Sequence, residues 1–222
     1  MDKILGLGTA GCNVASLFEQ HPQYEVYKID ASPNTAQNFF QLKEEIDPAK
    51  YEENCPDLSD FFKDLCGELL FIVGGASKVS AASLRILEQL KGHCQINVLY
   101  IQPNLLSLSE ARGLIAKTTF NVFQQYARSG VFNQMYVVNN EVIEDILGGI
   151  PVMEYYSKIN EILVSAIHMI NVFNHTESVT DTFSEPFETA RISTFGLIDV
   201  KKMKKKCFFL LTKFAKSSII ML

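Results

Sequence analysis

A glycine-rich loop near the amino terminus has residue types that suit phosphate binding. Residues 6–13 read Gly-Leu-Gly-Thr-Ala-Gly-Cys-Asn and follow a short predicted strand over residues 3–5. The residues after the loop carry apolar side chains at helical spacing: Val14, Ala15, Leu17 and Phe18. A strand, a glycine turn and a helix start bring free backbone N–H groups and the positive end of a helix dipole to one point, which attracts phosphate. At Gly6, Gly8 and Gly11 no Cβ stands between the backbone and a ligand.

The same loop also matches the pattern G-x-G-x-x-G of dinucleotide-binding folds. Asp30 stands nineteen residues after Gly11, at the end of a second strand predicted over residues 24–29. An acid in that position binds the ribose of NAD. These residues therefore also fit an NAD-dependent oxidoreductase, although the sequence offers no acid–base pair for that chemistry. A tight strand-to-helix turn that binds nothing is the third interpretation.

A second glycine loop follows another predicted strand. Gly74, Gly75 and Ser77 come after the apolar run 69–73, which is typical of a central parallel strand buried on both faces. Ligands bind at the carboxyl ends of the strands in such sheets, so both glycine loops are candidates for one site. Lys78 either neutralises phosphate charge or fills the site and excludes a nucleotide; the simplest alternative is a solvated loop lysine.

Residues farther along the chain suit a purine base. Asn140 follows a strand predicted over residues 134–138. Tyr156 and Asn160 are four residues apart in a long helix predicted over residues 151–171, so they share one helix face. An aromatic ring beside carboxamide donors and acceptors is what binding a purine requires. A buried tyrosine and an ordinary helix-surface asparagine are the alternative.

Predicted strands and helices alternate along most of the chain. The remaining predicted elements are a strand over residues 96–101 and helices over residues 36–42, 58–65, 81–91 and 107–128. The helix over residues 107–128 is expected to break near Gly113, since glycine is a poor helix former. The alternation predicts an α/β fold with a Rossmann-like parallel sheet, helices on both faces and a long central helix, plus a short C-terminal extension.

In their order along the chain, these stretches resemble the nucleotide domain of the tubulin/FtsZ family over roughly residues 3–199. The first loop resembles the first FtsZ glycine loop, in which the asparagine at the position of Asn13 faces guanine. Residues 74–77 fall where the family has its signature loop around the β- and γ-phosphates, and residues 140–141 resemble the Asn-Glu of tubulins. Residues 156–160 resemble the start of the tubulin central helix, whose tyrosine stacks on guanine.

The resemblance implies a guanine-nucleotide-binding protein that assembles into filaments or oligomers with copies of itself or with related tubulin-like subunits. Its cofactor would be GTP or GDP, with Mg²⁺ as an accompanying ion. Phosphate contacts would come from six residues: Gly6, Gly8, Gly11, Gly74, Gly75 and Ser77. Base contacts would come from Asn13, Asn140, Tyr156 and Asn160. Glu110 stands roughly where the family has its ribose-binding acid, but no arginine follows it at the matching spacing.

Two departures from the family pattern concern catalysis. The signature loop has lost its later glycines, which are replaced by residues with side chains: Ala76, Lys78, Val79 and Ser80. In the hydrolysis loop, Thr182 takes the place of the first acid and Glu185 that of the second, with Asp181 beside them. Glu185 and Asp181 are therefore the candidate catalytic residues. Because threonine cannot act as a general base as a carboxylate does, we expect GTP hydrolysis to be weak or lost. An assembly protein that keeps the fold without the nucleotide is a further alternative.

Length and composition are those of an ordinary globular protein. The 222 residues are 47% hydrophobic and 20% charged, and the net charge of −5 does not favour a nucleic-acid partner. No apolar run is long enough to span a membrane. We predict a nucleotide-binding domain over residues 1–175 and a truncated or vestigial C-terminal segment over residues 176–222, which contains the lysine-rich run 201–206.

The cysteine and histidine pattern gives no metal or catalytic thiol site. Five cysteines without a C-x-x-C pair predict reduced thiols in a cytoplasmic protein. Cys12 lies near a predicted helix N-terminus, which would lower its thiol pKa, but no histidine can be tied to it as a catalytic partner. His168 and His175 have no further ligand at metal spacing, so they are expected to be packing or surface residues.

Overall fold

One parallel sheet of seven strands is the centre of the computed structural model, which describes residues 1–105, 108–140, 142–143, 151–176 and 190–194. The strands are β1 (Lys3–Leu7), β2 (Glu25–Asp30), β3 (Phe39–Gln41), β4 (Gly67–Gly74), β5 (Cys94–Gln102), β6 (Gln134–Asn139) and β7 (Ile192–Ser193). Their order across the sheet is β3-β2-β1-β4-β5-β6-β7. Because every neighbouring pair is parallel, the sheet has an amino edge, where all strands begin, and a carboxyl edge, where all end.

Five α-helices have all their residues in the described part of the chain, and the described residues 140 and 142–143 are also helical. The five are α1 (Gly8–Phe18), α2 (Pro48–Glu53), α3 (Ser83–Leu90), α4 (Glu110–Arg128) and α5 (Tyr155–Asn174). Two 3₁₀ turns, Val79–Ala82 and Val152–Glu154, lead directly into α3 and α5. Within the described part of the chain, no helix has the length and apolar content needed to cross a membrane.

The sheet is buried on both faces because successive side chains of a strand point to opposite sides. In β4, Leu69, Phe71 and Val73 point towards the layer formed by α2, α3 and α4. Leu70 and Ile72 point towards the layer formed by α1 and α5. All five side chains are fully buried. The prediction of a Rossmann-like parallel sheet with helices on both faces is therefore confirmed.

The long helix α5 runs antiparallel to the strands. Near its C-terminal end, Asn171 accepts a hydrogen bond from the Met1 amino group at 2.7 Å and donates one to the Met1 carbonyl at 2.8 Å. Met1 directly precedes β1, so this end of α5 lies at the amino edge. A 20-residue helix is about 30 Å long, whereas a five-residue strand spans about 17 Å. The first turn of α5 therefore lies at the carboxyl edge, beyond the end of β1.

The helix predicted over residues 36–42 is wrong, because this segment forms the edge strand β3. The backbone N–H of Lys28 bonds the Asn38 carbonyl, and the N–H of Leu42 bonds the Asp30 carbonyl, both at 2.9 Å. The free edge of β2 supplies these partners. A short segment with no strong helical pattern takes the strand conformation when a sheet edge offers it hydrogen bonds.

The helix predicted over residues 58–65 is also wrong, although its apolar residues are buried as the spacing required. Leu58, Phe62 and Leu65 are all less than 7% exposed. The segment forms only hydrogen-bonded turns, with Phe62 N–H bonding the Leu58 carbonyl and Leu65 N–H bonding the Phe62 carbonyl. The same four-residue spacing therefore buries the side chains without a continuous helix.

The observed strands and helices do not decide whether the chain divides into two domains after residue 175. β7 belongs to the segment 176–222, and it pairs with β6 through Met135 opposite Ile192 and Tyr136 opposite Ser193. A two-residue strand at the edge of the sheet carries little of the core. Separate domains over residues 1–175 and 176–222 remain a prediction.

The expected break near Gly113 is absent, because α4 continues through it. The Gly113 N–H bonds the Ser109 carbonyl at 2.8 Å, and a Cβ built at Gly113 would meet no atom within 4 Å. Gly92 has equally open surroundings, but its φ of +92° is one that L-residues rarely adopt. The two glycines therefore differ in backbone conformation and not in available space.

We predict that Gly113→Ala and Gly92→Ala change stability in opposite directions. Gly113→Ala should raise the free energy of unfolding by about 0.5–1 kcal/mol, because alanine has the better helix propensity. Gly92→Ala should lower it by about 1–2 kcal/mol, because alanine is strained at positive φ. Urea denaturation of both variants measures the effects. A loss of stability in Gly113→Ala would contradict a continuous α4.

Candidate functional site

Two glycine loops meet at the carboxyl edge, where the strand order of the sheet reverses between β1 and β4. The two strands are adjacent and parallel, with Leu7 opposite Val73, so the loops after them lie side by side. A Cβ built at Gly8 would lie 3.1 Å from Ser77 Oγ, and a Cβ at Gly74 would lie 3.1 Å from the Ala10 Cβ. Crevices at such reversal points are the usual ligand sites of open α/β sheets.

The three glycines of the first loop have different roles. Gly8 has φ +69° and is the first residue of α1, directly opposite the second loop. Gly6 and Gly11 are buried, and a Cβ on either would overlap backbone: the Gly11 carbonyl for Gly6, and the Ile72 carbonyl for Gly11. Gly6 and Gly11 therefore allow α1 to pack closely against the sheet. Gly8 is buried as well, and the exposed residues of the first loop are its neighbours Thr9 and Ala10.

Thr9 also explains how the first loop is held in place. Its hydroxyl donates to Asp30 Oδ2 at 3.0 Å, and Asp30 Oδ1 accepts from the Ala31 N–H at 2.8 Å. Asp30 is only 6% exposed. One oxygen of the acid that fits the NAD interpretation thus fixes the loop to β2, and the other accepts from the next backbone N–H. Nothing in the spacing of the sequence distinguished this role of Asp30 from ribose binding.

The second loop packs against β5 before it opens towards the first. The Gly75 N–H bonds the Ile101 carbonyl at 3.1 Å, and a Cβ at Gly75 would overlap the Tyr100 hydroxyl. Ser77 then starts the 3₁₀ turn, since its carbonyl accepts from the Ser80 N–H at 3.2 Å. Gly74 and Gly75 are buried, Ser77 is half-buried and Lys78 is exposed. No described backbone hydrogen bond uses the N–H groups of Ser77 and Lys78, which lie at the start of this turn.

In the described part of the chain, Oδ1 of Asn140 is the one buried side-chain oxygen or nitrogen without a hydrogen-bond partner. This oxygen is shielded from solvent, yet it accepts no hydrogen bond. An unpaired buried acceptor is costly, because it has lost its hydrogen bonds to water without replacing them. Asn140 directly follows β6 and has helical backbone, and within the sheet Gly74, Ile101 and Val138 are in register across β4, β5 and β6. Two strand spacings, about 10 Å, therefore separate Val138 of β6 from Gly74 of β4.

The other predicted base and ribose contacts lie on exposed or partly exposed surface. Tyr156 is 70% exposed, and its ring packs edge-on against Tyr155 with ring centres 5.1 Å apart. Asn160 is half-buried one turn later, so both residues lie at the carboxyl edge with the start of α5. Glu110, at the start of α4, is exposed, and so is Asn13 on α1. Asp181 and Glu185 lie outside the described residues.

Comparison with solved structures identifies the fold. The chain superposes on an FtsZ dimer structure from M. jannaschii with a TM-score of 0.67 at 12% identity, covering 86% of this chain and 61% of that one. A GTPγS-form protofilament of TubZ from Bacillus thuringiensis serovar israelensis gives 0.64 at 14% identity, with 82% and 58% covered. CetZ from Methanosaeta thermophila gives 0.61 at 14% identity, with 80% and 56% covered. No family model and no curated protein sequence matches the chain.

The chain has a tubulin/FtsZ-like fold. It spans only about three fifths of the length of the FtsZ, TubZ and CetZ structures that it matches. At 12–14% identity the likeness establishes the fold and leaves ligand and activity open. Within this tubulin/FtsZ-like fold, the elements at the carboxyl edge are the first loop, the second loop, Asn140 and the start of α5.

The expected lowering of the Cys12 thiol pKa is wrong. Burial raises the pKa of Cys12 to about 12, and the negative charge of Asp30 acts in the same direction. The thiol donates weakly to the Gly6 and Ile29 carbonyls at 3.5 Å each, so it faces the interior of the tubulin/FtsZ-like fold beneath the loop. The environment of the side chain therefore outweighs the dipole of α1. Within the described residues, no three His, Cys, Asp or Glu side chains are grouped as metal ligands.

We predict that Cys12 is unreactive in the folded protein. At pH 8 iodoacetamide should alkylate the exposed Cys66, whereas Cys12 should stay unlabelled because its thiol is buried and not ionised. Mass mapping of tryptic peptides after timed labelling measures both sites. Labelling in urea is the control, since both thiols should then react. Equal rates for Cys12 and Cys66 in the native protein would contradict the burial of Cys12.

Proposed function

We propose that this chain binds GTP or GDP at the carboxyl edge and assembles with copies of itself or with related tubulin-like subunits in the cytoplasm. The observation that carries the proposal is the contact between the two glycine loops, Gly8 against Ser77, at the reversal point of a tubulin/FtsZ-like fold. Each loop closes a buried strand and starts a helix or 3₁₀ turn. Their N–H groups and helix dipoles therefore converge where phosphate oxygens would lie.

The phosphate contacts are proposed to come from the loop backbones. Gly8 and its exposed neighbours Thr9 and Ala10 would form one wall, and Ser77 with the free N–H groups of the 3₁₀ turn would form the other. Gly6, Gly11, Gly74 and Gly75 would act indirectly, by bringing the two backbones close. Lys78, exposed at the rim, is available to neutralise phosphate charge. Mg²⁺ would accompany the phosphates, held by the nucleotide and water rather than by a preformed cluster of side chains.

The base contacts are proposed to come from Asn140, Tyr156 and Asn160. The unpaired Oδ1 of Asn140 is an acceptor that suits the ring N–H or amino group of guanine. The exposed ring of Tyr156 offers a flat surface for stacking. Asn140 follows β6, which lies two strands across the sheet from β4, the strand before the second loop. Asn13 and Glu110, both exposed, are proposed as additional base and ribose contacts.

Self-assembly is proposed from the comparisons and from the exposed apolar surface. The solved structures with this fold include an FtsZ dimer and TubZ protofilaments. At the carboxyl edge, Met153 is 96% exposed and Tyr156 is 70% exposed. Large apolar side chains left open in this way favour contact with another protein surface.

A nucleotide-free assembly protein is the second candidate. The Gly75 N–H is already bonded to the Ile101 carbonyl, so it is not available to a phosphate. The second loop has also lost the later glycines of the family signature, which are replaced by Ala76, Lys78, Val79 and Ser80. The NAD interpretation is less well supported, because Asp30 is buried and its carboxylate already binds Thr9 and the Ala31 N–H.

We predict that GTP and GDP protect the protein against thermal unfolding and that NADH does not. A ligand at 100 times its Kd stabilises by about 2.7 kcal/mol, which raises the Tm of a chain of this size by about 5–10 °C. Tyr156→Ala should weaken binding about 5- to 150-fold through loss of base stacking, whereas Tyr156→Phe should preserve it. Calorimetric titration measures the variants. Protection by NADH alone would favour the dinucleotide interpretation, and protection by none of them would favour the nucleotide-free one.

We also predict that the protein hydrolyses GTP slowly and that Thr182→Asp accelerates phosphate release. The substitution supplies the carboxylate that the hydrolysis loop lacks in the family pattern, beside the proposed catalytic acids Glu185 and Asp181. Phosphate release should rise only at concentrations where light scattering shows assembly, since in the family this loop acts on the next subunit. Thr180→Asp is the matched control and should leave the rate unchanged. Rapid, concentration-independent hydrolysis by the unmodified protein would contradict this assignment.

A further inference from the structure

Two cysteines far apart in the sequence are neighbours at the amino edge of the sheet. Cys66 directly precedes β4, and Cys94 is the first residue of β5. The register places Gly67 opposite Cys94 in this parallel pair. With strands about 4.8 Å apart and residues about 3.3 Å apart along each strand, the Cα atoms of Cys66 and Cys94 are separated by about 6 Å. Disulfide-bonded cysteines have Cα atoms about 4.4–6.8 Å apart.

The side chain of Cys94 points towards the backbone around Cys66. Its thiol donates a hydrogen bond to the carbonyl of Leu65 at 3.2 Å, and that carbonyl belongs to the peptide bond that joins Leu65 to Cys66. The charge of a Cys66 thiolate also contributes to raising the pKa of Cys94, after the larger effect of burial. The register therefore brings the two backbones together, and the hydrogen bond and the electrostatic coupling place the Cys94 thiol beside the peptide bond before Cys66.

Both thiols are accessible to a small reagent. Cys66 is exposed and Cys94 is half-buried. Cys94 lines an open groove of about 420 Å³ together with Gly67, Glu68, Gly92, His93 and Gln95. A small organic disulfide can therefore reach Cys66 from solvent, and the groove leaves room for its leaving half. Cys12, in contrast, is buried and inert, and Cys55 is half-buried elsewhere.

We propose that Cys66 and Cys94 form a thiol-oxidation site, which closes to an intramolecular disulfide when the protein meets a small disulfide such as oxidised glutathione. The Cys66 thiolate attacks one sulfur of oxidised glutathione, which forms a mixed disulfide and releases one glutathione thiolate. The Cys94 thiolate then attacks the sulfur of Cys66 and releases the second glutathione thiolate. Two cysteine thiols are oxidised, one glutathione disulfide is reduced, and the two cysteine protons pass to the glutathione thiolates.

The closed form would join the beginnings of β4 and β5 covalently. The disulfide would enclose 29 residues, from 66 to 94, including β4, the second glycine loop and α3. Closing a loop of that length restricts the unfolded chain, so the oxidised protein should melt about 5–10 °C higher than the reduced protein. Because burial raises the pKa of the Cys94 thiol, closure should be faster at pH 9 than at pH 7.

Incubation of the full chain with oxidised glutathione under native conditions tests the proposal. Trypsin places the five cysteines in five different peptides, because a lysine separates each from the next. We expect a disulfide-linked pair of peptides, residues 64–78 with residues 92–112, and its loss after reduction. Cys66→Ser and Cys94→Ser should each abolish the linked pair and the rise in Tm, whereas Cys55→Ser should keep both.

Several outcomes would overturn the proposal. A stable glutathione adduct on Cys66 without the linked peptides would show that Cys94 cannot reach it. Links that join Cys66 to another cysteine, or that join two chains, would show that the pair is not intramolecular. Peptide mapping of the unmodified protein alone decides between these results, so a variant that fails to fold does not affect the conclusion. The result is independent of whether GTP binds.

Discussion

The close contact between α1 and the sheet is the constraint on which the rest of the site depends. A side chain at Gly11 would overlap the carbonyl of Ile72 in β4, and a side chain at Gly6 would overlap the carbonyl of Gly11. Only glycine at both positions lets α1 lie this near β1 and β4. The strand register sets the end of β1 level with the end of β4, and the close approach of α1 then places Gly8 against Ser77. The thiol of Cys12 is buried by the same contact, which is why its pKa rises to about 12 instead of falling.

A buried polar network at the amino edge holds the C-terminal half of the long helix α5. The length of the helix then determines where its first turn lies. Asn171 of α5 bonds the amino group and the carbonyl of Met1 and also donates to the Tyr24 hydroxyl at 3.1 Å. The Tyr24 hydroxyl lies 2.8 Å from Nδ1 of His168, whose ring stacks on His21 with centres 4.3 Å apart. These bonds fix the C-terminal half of α5 to the amino edge, and the straight helix then carries Tyr156 and Asn160 to the carboxyl edge.

The two edges of the sheet are therefore different in chemistry. At the amino edge the polar groups around Met1 and Asn171 are paired with one another, as expected for a structural network. At the carboxyl edge the Asn140 oxygen is unpaired, the first N–H groups of the 3₁₀ turn have no described backbone partner, and Tyr156 is largely exposed. Unsatisfied groups concentrated at one edge of a well-packed fold are typical of a site that is completed by something else.

The amino-acid sequence by itself determined the elements whose signals are local. Residues 3–18 specify a strand, a glycine turn and a helix. The continuous apolar run specifies β4, and the apolar stripe specifies α5. The alternation of strands and helices along the chain specifies a parallel sheet. The choice of Asn140, Tyr156 and Asn160 as base contacts came from residue type and family resemblance. The structure places all three at one edge, without testing what they bind.

Only the tertiary structure decided the features that depend on a partner distant in the chain. Residues 39–41 became a strand because the free edge of β2 offers hydrogen bonds, and residues 58–65 stayed as turns although Leu58 and Phe62 are buried. The loop-anchoring role of Asp30 depends on the contact of Thr9 with β2, and the nearness of Cys66 to Cys94 depends on the pairing of β4 with β5. Periodicity within a segment carries no information about which other segment will lie beside it, because that choice is made by packing of the whole sheet.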